Sequence, residues 1–391
     1  MKASIQQRLA KTKRRIERRL DHGGGGNCGK PMFAASNIHY ELAEKTRAIG
    51  VGGIGVVHRL AQQVGLVEAI DRQVRVLKIH LPYHESDHVL NLAYNALCDG
   101  VRLEDIELRR NDEVFLDALG TQRIPDPTTA GDFCRRFGEG SIRCLMEAID
   151  EARRKVWARQ PKQFFQRATI DLDGTLVVTT GECKEGMDIS YKGTWGYHPL
   201  LVSLAETGEV LRLVNRSGNR PSHEGAAEEA DQAVALCRRA GFREIVLRGD
   251  TAFSQSEKLD AWDAGGVTFY LGFKGMPNLE EIAETLPEKA WKKLVRPPKY
   301  EVQTEPRQRP ENVKKRIVRR REFEVLTLQS EEVAEFDYSP VKCQKTYRMV
   351  VIRKNISHEK GELRLFDEIR YFFYISNDPK ASPAEVVFEA N

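Results

Sequence analysis

Apolar residues recur at three- and four-residue spacing over 56–73 and 85–98, which predicts amphipathic helices there. Ser86 is a candidate N-cap for the second, and Gly100 marks its stop. Shorter helices are predicted over 102–120 and 128–137, the latter opening after Pro127 with Thr128 or Thr129 as cap. A longer, charge-rich helix covers 141–160. The period changes at residue 166. RATIDLDGTLVVTTG alternates, is rich in β-branched side chains and ends at Gly181, so it predicts a strand. HPLLVSLAETGEVLRLVNRSG reads as two strands about a Thr-Gly turn. A helix over 223–240, a short buried strand over 244–250, a helix over 254–264 and a strand over 267–273 follow. That order mixes an antiparallel meander with crossover helices, which predicts a mixed α/β sheet. Past residue 275 come Pro297, Pro298, Pro306 and Pro310, then a basic run, then strand-like segments at 322–328, 346–354 and 369–376. These predict a β-rich insertion or a second small domain.

The chain has 391 residues, enough for two or three domains at roughly 100–200 residues each. The pattern divides it into a helical region over 1–160, the first part of an α/β core over 161–275 and a β-rich insertion over 276–385. The net charge of +4 hides two basic clusters. One is Lys11, Lys13, Arg14, Arg15, Arg18 and Arg19; the other runs through Arg307, Arg309, Lys314, Lys315, Arg316, Arg319, Arg320 and Arg321. Clustering, not the total, is what points to a polyanionic partner. The seven cysteines contain no Cys-x-x-Cys pair, so neither a zinc site nor a disulfide framework is predicted. A reducing compartment, the cytoplasm, is the simple reading. No apolar run reaches about 18 residues, so no membrane span is predicted. The basic N-terminus lacks the apolar stretch of a signal peptide.

Asp171 and Asp173 stand two apart on one strand and so share a face. Two carboxylates on one face of a mostly apolar strand repel, and a divalent cation relieves that. The competing reading is a solvated strand end. Asp250 closes the buried strand IVLRGD, where ligands of α/β sheets gather. It reads equally as a cap for the following Thr251–Phe253 turn. If the two strands are neighbours, Asp173 and Asp250 can share one metal.

At these residues a resemblance enters. IDLDGT, GYHPLL, RSGN and LRGDTAF, in this order, resemble bacterial insertion-sequence transposases of the DDE group. The similarity runs from TTAGDFCRRF near residue 128 to YFFYISND near 371. Each motif alone is weak; four in order on suitable elements are specific. The resemblance implies an RNase H-like mixed sheet, an N-terminal all-α DNA-binding region and a β-rich insertion ahead of the last catalytic helix. It implies two aspartates and one glutamate about Mg²⁺ or Mn²⁺, with Asp173 and Asp250 as the catalytic pair and Asp171 as a further ligand or near neighbour. The chemistry implied is two-metal displacement at phosphorus, first with water and then with a DNA 3′-hydroxyl as nucleophile. The glutamate belongs on a helix after YFFYISND. The chain stops as that helix begins, at 386–391, where Glu385 and Glu389 are the late candidates, so a truncated final region is the expectation.

The partners implied are double-stranded DNA, as terminal inverted repeats and target, and a second copy of the chain during synapsis. The location implied is cytoplasmic, at the nucleoid. Candidate DNA contacts are Arg14, Arg15, Arg216, Arg220, Lys314, Lys315, Arg316, Arg319 and Arg320, with Asn219 beside them. For Arg216, Asn219 and Arg220 the alternative is a solvated turn; for the basic run it is a solvated loop. Tyr197, His198 and Pro199 read either as a loop near the site or as a turn before a core strand. Arg248 pairs with Asp250 or phosphate, or forms a structural salt bridge. Trp291 reads as a core residue more readily than as a base-stacking one. The segments 85–98 and 102–120 read as a helix-turn-helix pair or as a plain bundle. Two functions are weighed: a metal-dependent transposase that cuts and rejoins DNA, and a catalytically incomplete copy that competes for transposon ends.

Overall fold

The computed structural model describes residues 51–80, 82–181, 184–296, 313–361 and 363–390, together with Gln7, Ala10, Lys11, Lys13, Arg14, Arg15, Arg18 and Phe33. The chain forms two compact units, Met1–Gln160 and Pro161–Asn391.

The first unit is helical. Where the apolar period predicts one helix over 56–73, two form: α1 (Ile54–Gln63) and α2 (Leu66–Gln73). Gly65 between them adopts φ 74°, a left-handed conformation that ends one helix and turns the chain into the next. α3 (Glu85–Leu97) follows. Ser86 is not its cap; the Asp87 carboxylate accepts the His84 N–H at 2.9 Å, while Ser86 bonds Asp71. The single helix expected over 102–120 is broken into α4 (Ile106–Arg110) and α5 (Glu113–Ala118). Asp112 causes the break, because its side chain caps α5 by accepting from Val114 and Phe115. α6 (Pro127–Cys134) is capped by Asp126, not by Thr128 or Thr129, and α7 (Glu139–Trp157) closes the unit. Tyr94, Ile106, Phe115, Leu119 and Ile124 form one core; Ala69 and Ile70 of α2, with Val74 just past it, pack with Ala148 of α7 in another.

The second unit is built on a nine-stranded mixed sheet. Its strands are β1 (Arg167–Gly174), β5 (Leu200–Leu204), β6 (Glu209–Val214), β7 (Glu244–Gly249), β8 (Val267–Phe273), β9 (Lys292–Lys293), β10 (Glu324–Tyr338), β11 (Tyr347–Lys360) and β12 (Leu363–Ser376). A separate three-stranded ribbon holds β2 (Val177–Val178), β3 (Asp188–Ile189) and β4 (Trp195–Tyr197). The order of the large sheet is β6-β5-β1-β7-β8-β12-β11-β10-β9. β5 and β6 run antiparallel beside β1, while β1, β7 and β8 are parallel, joined by crossover helices α8 (Ala226–Ala240) and α9 (Ser256–Ala264). This is the RNase H-like arrangement. Helices α10 (Pro277–Thr285), α11 (Val313–Arg320) and α12 (Pro383–Glu389) follow later in the chain.

Strand alternation sorts the chemistry. Ala168, Ile170 and Leu172 of β1 are buried, and Ile245 and Leu247 of β7 share their face. The opposite face carries Arg167, Thr169, Asp171 and Asp173, with Val246 and Arg248 beside them. α12 packs on this second face, where Val386 and Val387 meet Val246, Tyr270, Val350 and Ile352.

The insertion strands are longer than their apolar segments predict. They also form no separate sheet: β12 pairs antiparallel with β8, so these strands prolong the core sheet.

His88 is 3% exposed and stacks on Phe133 with ring centroids 4.3 Å apart. Burial lowers its pKa to about 4, against 6.5 for a free imidazole. Between those values the unfolded chain binds a proton that the folded chain refuses, so stability falls as pH falls through that window. Denaturant unfolding between pH 7 and 4 should show this loss in the helical unit, and His88→Phe should flatten it.

Candidate active site

Asp173 lies at the end of β1 and not mid-strand, because the strand stops at Gly174. Asp250 directly follows β7. The parallel register pairs Asp171 with Arg248 and Leu172 with Gly249, so Asp173 and Asp250 are the next residues on adjacent strands. Both are exposed. Each carboxylate has one oxygen fixed by the backbone that follows it: Gly174 N–H donates to Asp173 Oδ1 at 2.8 Å, and Ala252 N–H donates to Asp250 Oδ1 at 2.8 Å. The turn-capping reading of Asp250 therefore holds, and it leaves the other oxygen available. Gly272 of β8 lets this turn sit close, since a side chain there would stand 2.8 Å from Thr251 N.

Asp171 differs from its neighbours. Arg248 grips it with both arms, Nε to Oδ1 at 2.6 Å and Nη2 to Oδ2 at 2.8 Å. This is the two-pronged geometry that makes arginine–carboxylate pairs strong. The cation that neutralises Asp171 is thus a guanidinium, and the metal-ligand reading of Asp171 gives way to a framework one. The pairing raises the Arg248 pKa further, and Arg248 Nη1 also donates to the Glu389 carbonyl at 3.3 Å.

The donor set suits a hard divalent ion. Asp173 and Asp250 present carboxylate oxygens on neighbouring strand ends with no Lys or Arg ion-paired to either among the described residues. Among the described residues no group of three or more His, Cys, Asp or Glu is placed to hold a metal. Glu385 accepts the Ser382 N–H at 2.6 Å and caps α12. Glu389 is gripped by Arg167, a partner that the sequence alone does not suggest.

The other candidates scatter. Arg216 is only 8% exposed. Its Nε donates to His198 O at 3.0 Å, and Nη1 donates to the carbonyls of Pro221, Ser222 and Glu224. Desolvation lowers its pKa. The surface reading of Arg216 is replaced by one in which it holds a loop. Asn219 bonds Asp188, and Arg220 is exposed beside Glu224. Arg14 is exposed, and Arg15 pairs with Glu113 at 2.8 Å. Lys314, Arg316, Arg319 and Arg320 are exposed on α11; the Lys315 side chain, Arg19, Arg307 and Arg309 lie outside the described residues. Trp291 is 8% exposed with the Arg353 guanidinium 4.3 Å above its ring, which is a core placement.

A family model described as transposase DDE domain, group 1, matches residues 47–387. The chain belongs to this family. No curated protein matches the chain in sequence. Among solved structures it is similar to a piggyBac transposase, seen by cryo-EM in a synaptic complex with hairpin DNA, at 9% identity and a TM-score of 0.34. That similarity covers 85% of this chain and 61% of the other, so the chain spans under two thirds of that protein's length. No helix among the described residues is long and apolar enough to cross a membrane.

Arg248→Ala strands Asp171 half-buried without its partner. The expected cost is about 1–3 kcal/mol in denaturant unfolding. Arg248→Lys should recover only part, since an ammonium cannot grip both oxygens.

Proposed function

We propose that the chain binds the ends of a DNA transposon and carries out metal-dependent DNA strand cleavage and strand transfer. One observation carries this reading. Two exposed aspartates end adjacent parallel strands, while the third nearby carboxylate is already neutralised by arginine. In this reading Asp173 and Asp250 hold Mg²⁺ or Mn²⁺. The bound ion supplies charge stabilisation to the attacking and leaving oxygens of an in-line displacement at phosphorus.

The chain's own residues set the positions. The β1–β7 register fixes the spacing of the two carboxylates. The Gly174 and Ala252 N–H groups fix their rotation. Arg14, Arg15, Arg220 and the basic helix α11, with Lys314, Lys315, Arg316, Arg319 and Arg320, are assigned to DNA phosphates, which they position without reading sequence. Arg216 serves Arg220 indirectly, by holding the loop that bears it. Double-stranded DNA is the partner, as inverted repeats and as target. Bringing two ends together calls for a homodimer in the synaptic complex, and the compartment is the cytoplasm at the nucleoid.

The test is cleavage and gel-shift on DNA bearing the inverted repeats that flank the gene, with Mg²⁺ or Mn²⁺. Asp173→Asn and Asp250→Asn should each lower cleavage at least about 100-fold, the upper end of what removing a residue that merely supports a metal ligand brings, with end binding retained. Unchanged cleavage in both variants rejects the reading. End binding by the unaltered chain without cleavage in either metal favours the second reading, a catalytically incomplete copy that competes for ends. Replacing Arg316, Arg319 and Arg320 by Ala should flatten the slope of log affinity against log salt by about 0.9 for each phosphate no longer neutralised.

A further inference from the structure

His198, between β4 and β5, is 4% exposed. Arg216 ties both of its backbone groups: His198 N–H donates to Arg216 O at 2.9 Å, and His198 O accepts from Arg216 Nε at 3.0 Å. The imidazole Nδ1 lies 2.8 Å from the Arg220 carbonyl. A carbonyl oxygen only accepts, so Nδ1 carries the hydrogen. The ring edge at Nε2 is turned to β1, where a methyl group on Gly174 would stand 2.8 Å from it and 3.3 Å from Ser222 Oγ. Such a separation is too short for any ordinary Cβ contact, so only glycine lets the ring in. The Gly174 N–H is itself the donor that fixes Asp173 Oδ1. Arg216, His198, Gly174 and Asp173 therefore form one mechanical series, with Thr175 N–H to Pro199 O at 3.1 Å closing it from the side.

We propose that His198 is a positioning residue whose ring, locked by Arg216 and Arg220, wedges against Gly174 and sets the Asp173 carboxylate for metal binding. The inference rests on the metal-binding reading of Asp173. Metal ligands steadied by neighbouring side chains lose roughly 10–100-fold in affinity when those neighbours are removed. A ring that only filled core space would lower stability without a selective effect on the Asp173 turn.

His198→Asn separates the two roles. Its amide nitrogen replaces the Nδ1 donor, but nothing replaces the Nε2 edge. Mn²⁺ binding to the full chain is read by electron paramagnetic resonance, without any turnover. The expected result is binding weakened roughly 10-fold or more in His198→Asn. Val234→Ala, a core change on α8, serves as a control for lost stability and should bind Mn²⁺ as the unaltered chain does. Gly174→Ala should also weaken binding, and the double variant Gly174→Ala/His198→Asn should bind more tightly than Gly174→Ala alone, because the obstructing edge is gone. Unchanged Mn²⁺ binding in His198→Asn, or no relief in the double variant, overturns the proposal. If the unaltered chain takes up no Mn²⁺ and Asp173→Asn changes nothing, the metal-binding reading has failed instead. Hydrogen exchange of the Gly174 amide then tests the wedge alone: about 10-fold faster exchange in His198→Asn supports it, and unchanged exchange rejects it.

Discussion

The parallel pairing of β1 with β7 governs the chemistry-bearing part of the molecule. Hydrogen-bonded register is discrete, and a slip of one residue would turn every side chain to the other face. With Leu172 opposite Gly249, one apolar layer faces one side of the sheet and one polar row faces the other. The same register supplies two unlike neighbours along that row. Asp171 meets Arg248 and is neutralised. Asp173 meets the Asp250 turn, where no Lys or Arg among the described residues is ion-paired to either carboxylate, and the charge stays open to a ligand. Two carboxylates two residues apart thus acquire different tasks from their partners on one adjacent strand.

Arginine does much of its work inside this protein. Arg248 holds Asp171, Arg216 gathers carbonyls of its own loop, and Arg353 lies over Trp291 while pairing with Glu288 and Glu332. The planar fork suits such internal framing, because several donors are held in fixed directions. A count of basic residues therefore overstates the charge available to a polyanion. The exposed arginines and lysines of α11 belong to a different population from those buried in the core.

Much of the sheet was legible because its segments carry strong local signals. VTFYLGF over 267–273 reads as a strand and is one, and IVLRGD reads as a buried strand with its acid at the end. The place of Asp250 was legible for the same reason, because an apolar run stops at it; the strand end beside Asp173 was not, because Leu176, Val177 and Val178 continue the apolar pattern past it. What escaped was non-local. The partner of Asp171 is 77 residues away along the chain, and nothing in the spacing says that Arg248 stands opposite it. Arg216 reads as a surface cation, yet its neighbours are a Pro- and Gly-containing loop whose carbonyls need a donor; that need was the signal to notice. The outer halves of β11 and β12 were missed because KNISHEKGELRLFDEIR has no long apolar run, and β10 was read only over its outer end, because its inner half, QSEEVAEFDY, is interrupted by acids. Pairing to neighbours, not burial, keeps those residues extended.

Those long strands have a mechanical consequence. β12 is 14 residues long and is bonded to β8 only through its last four, so most of its length projects past the core strands. At roughly 3.3 Å per residue a strand of that length reaches about 46 Å. Three strands laced together over such a span form a cantilever rooted in β8. A side load on its free end acts through a long arm, and the torque arrives where Gly272 touches the Asp250–Thr251 turn.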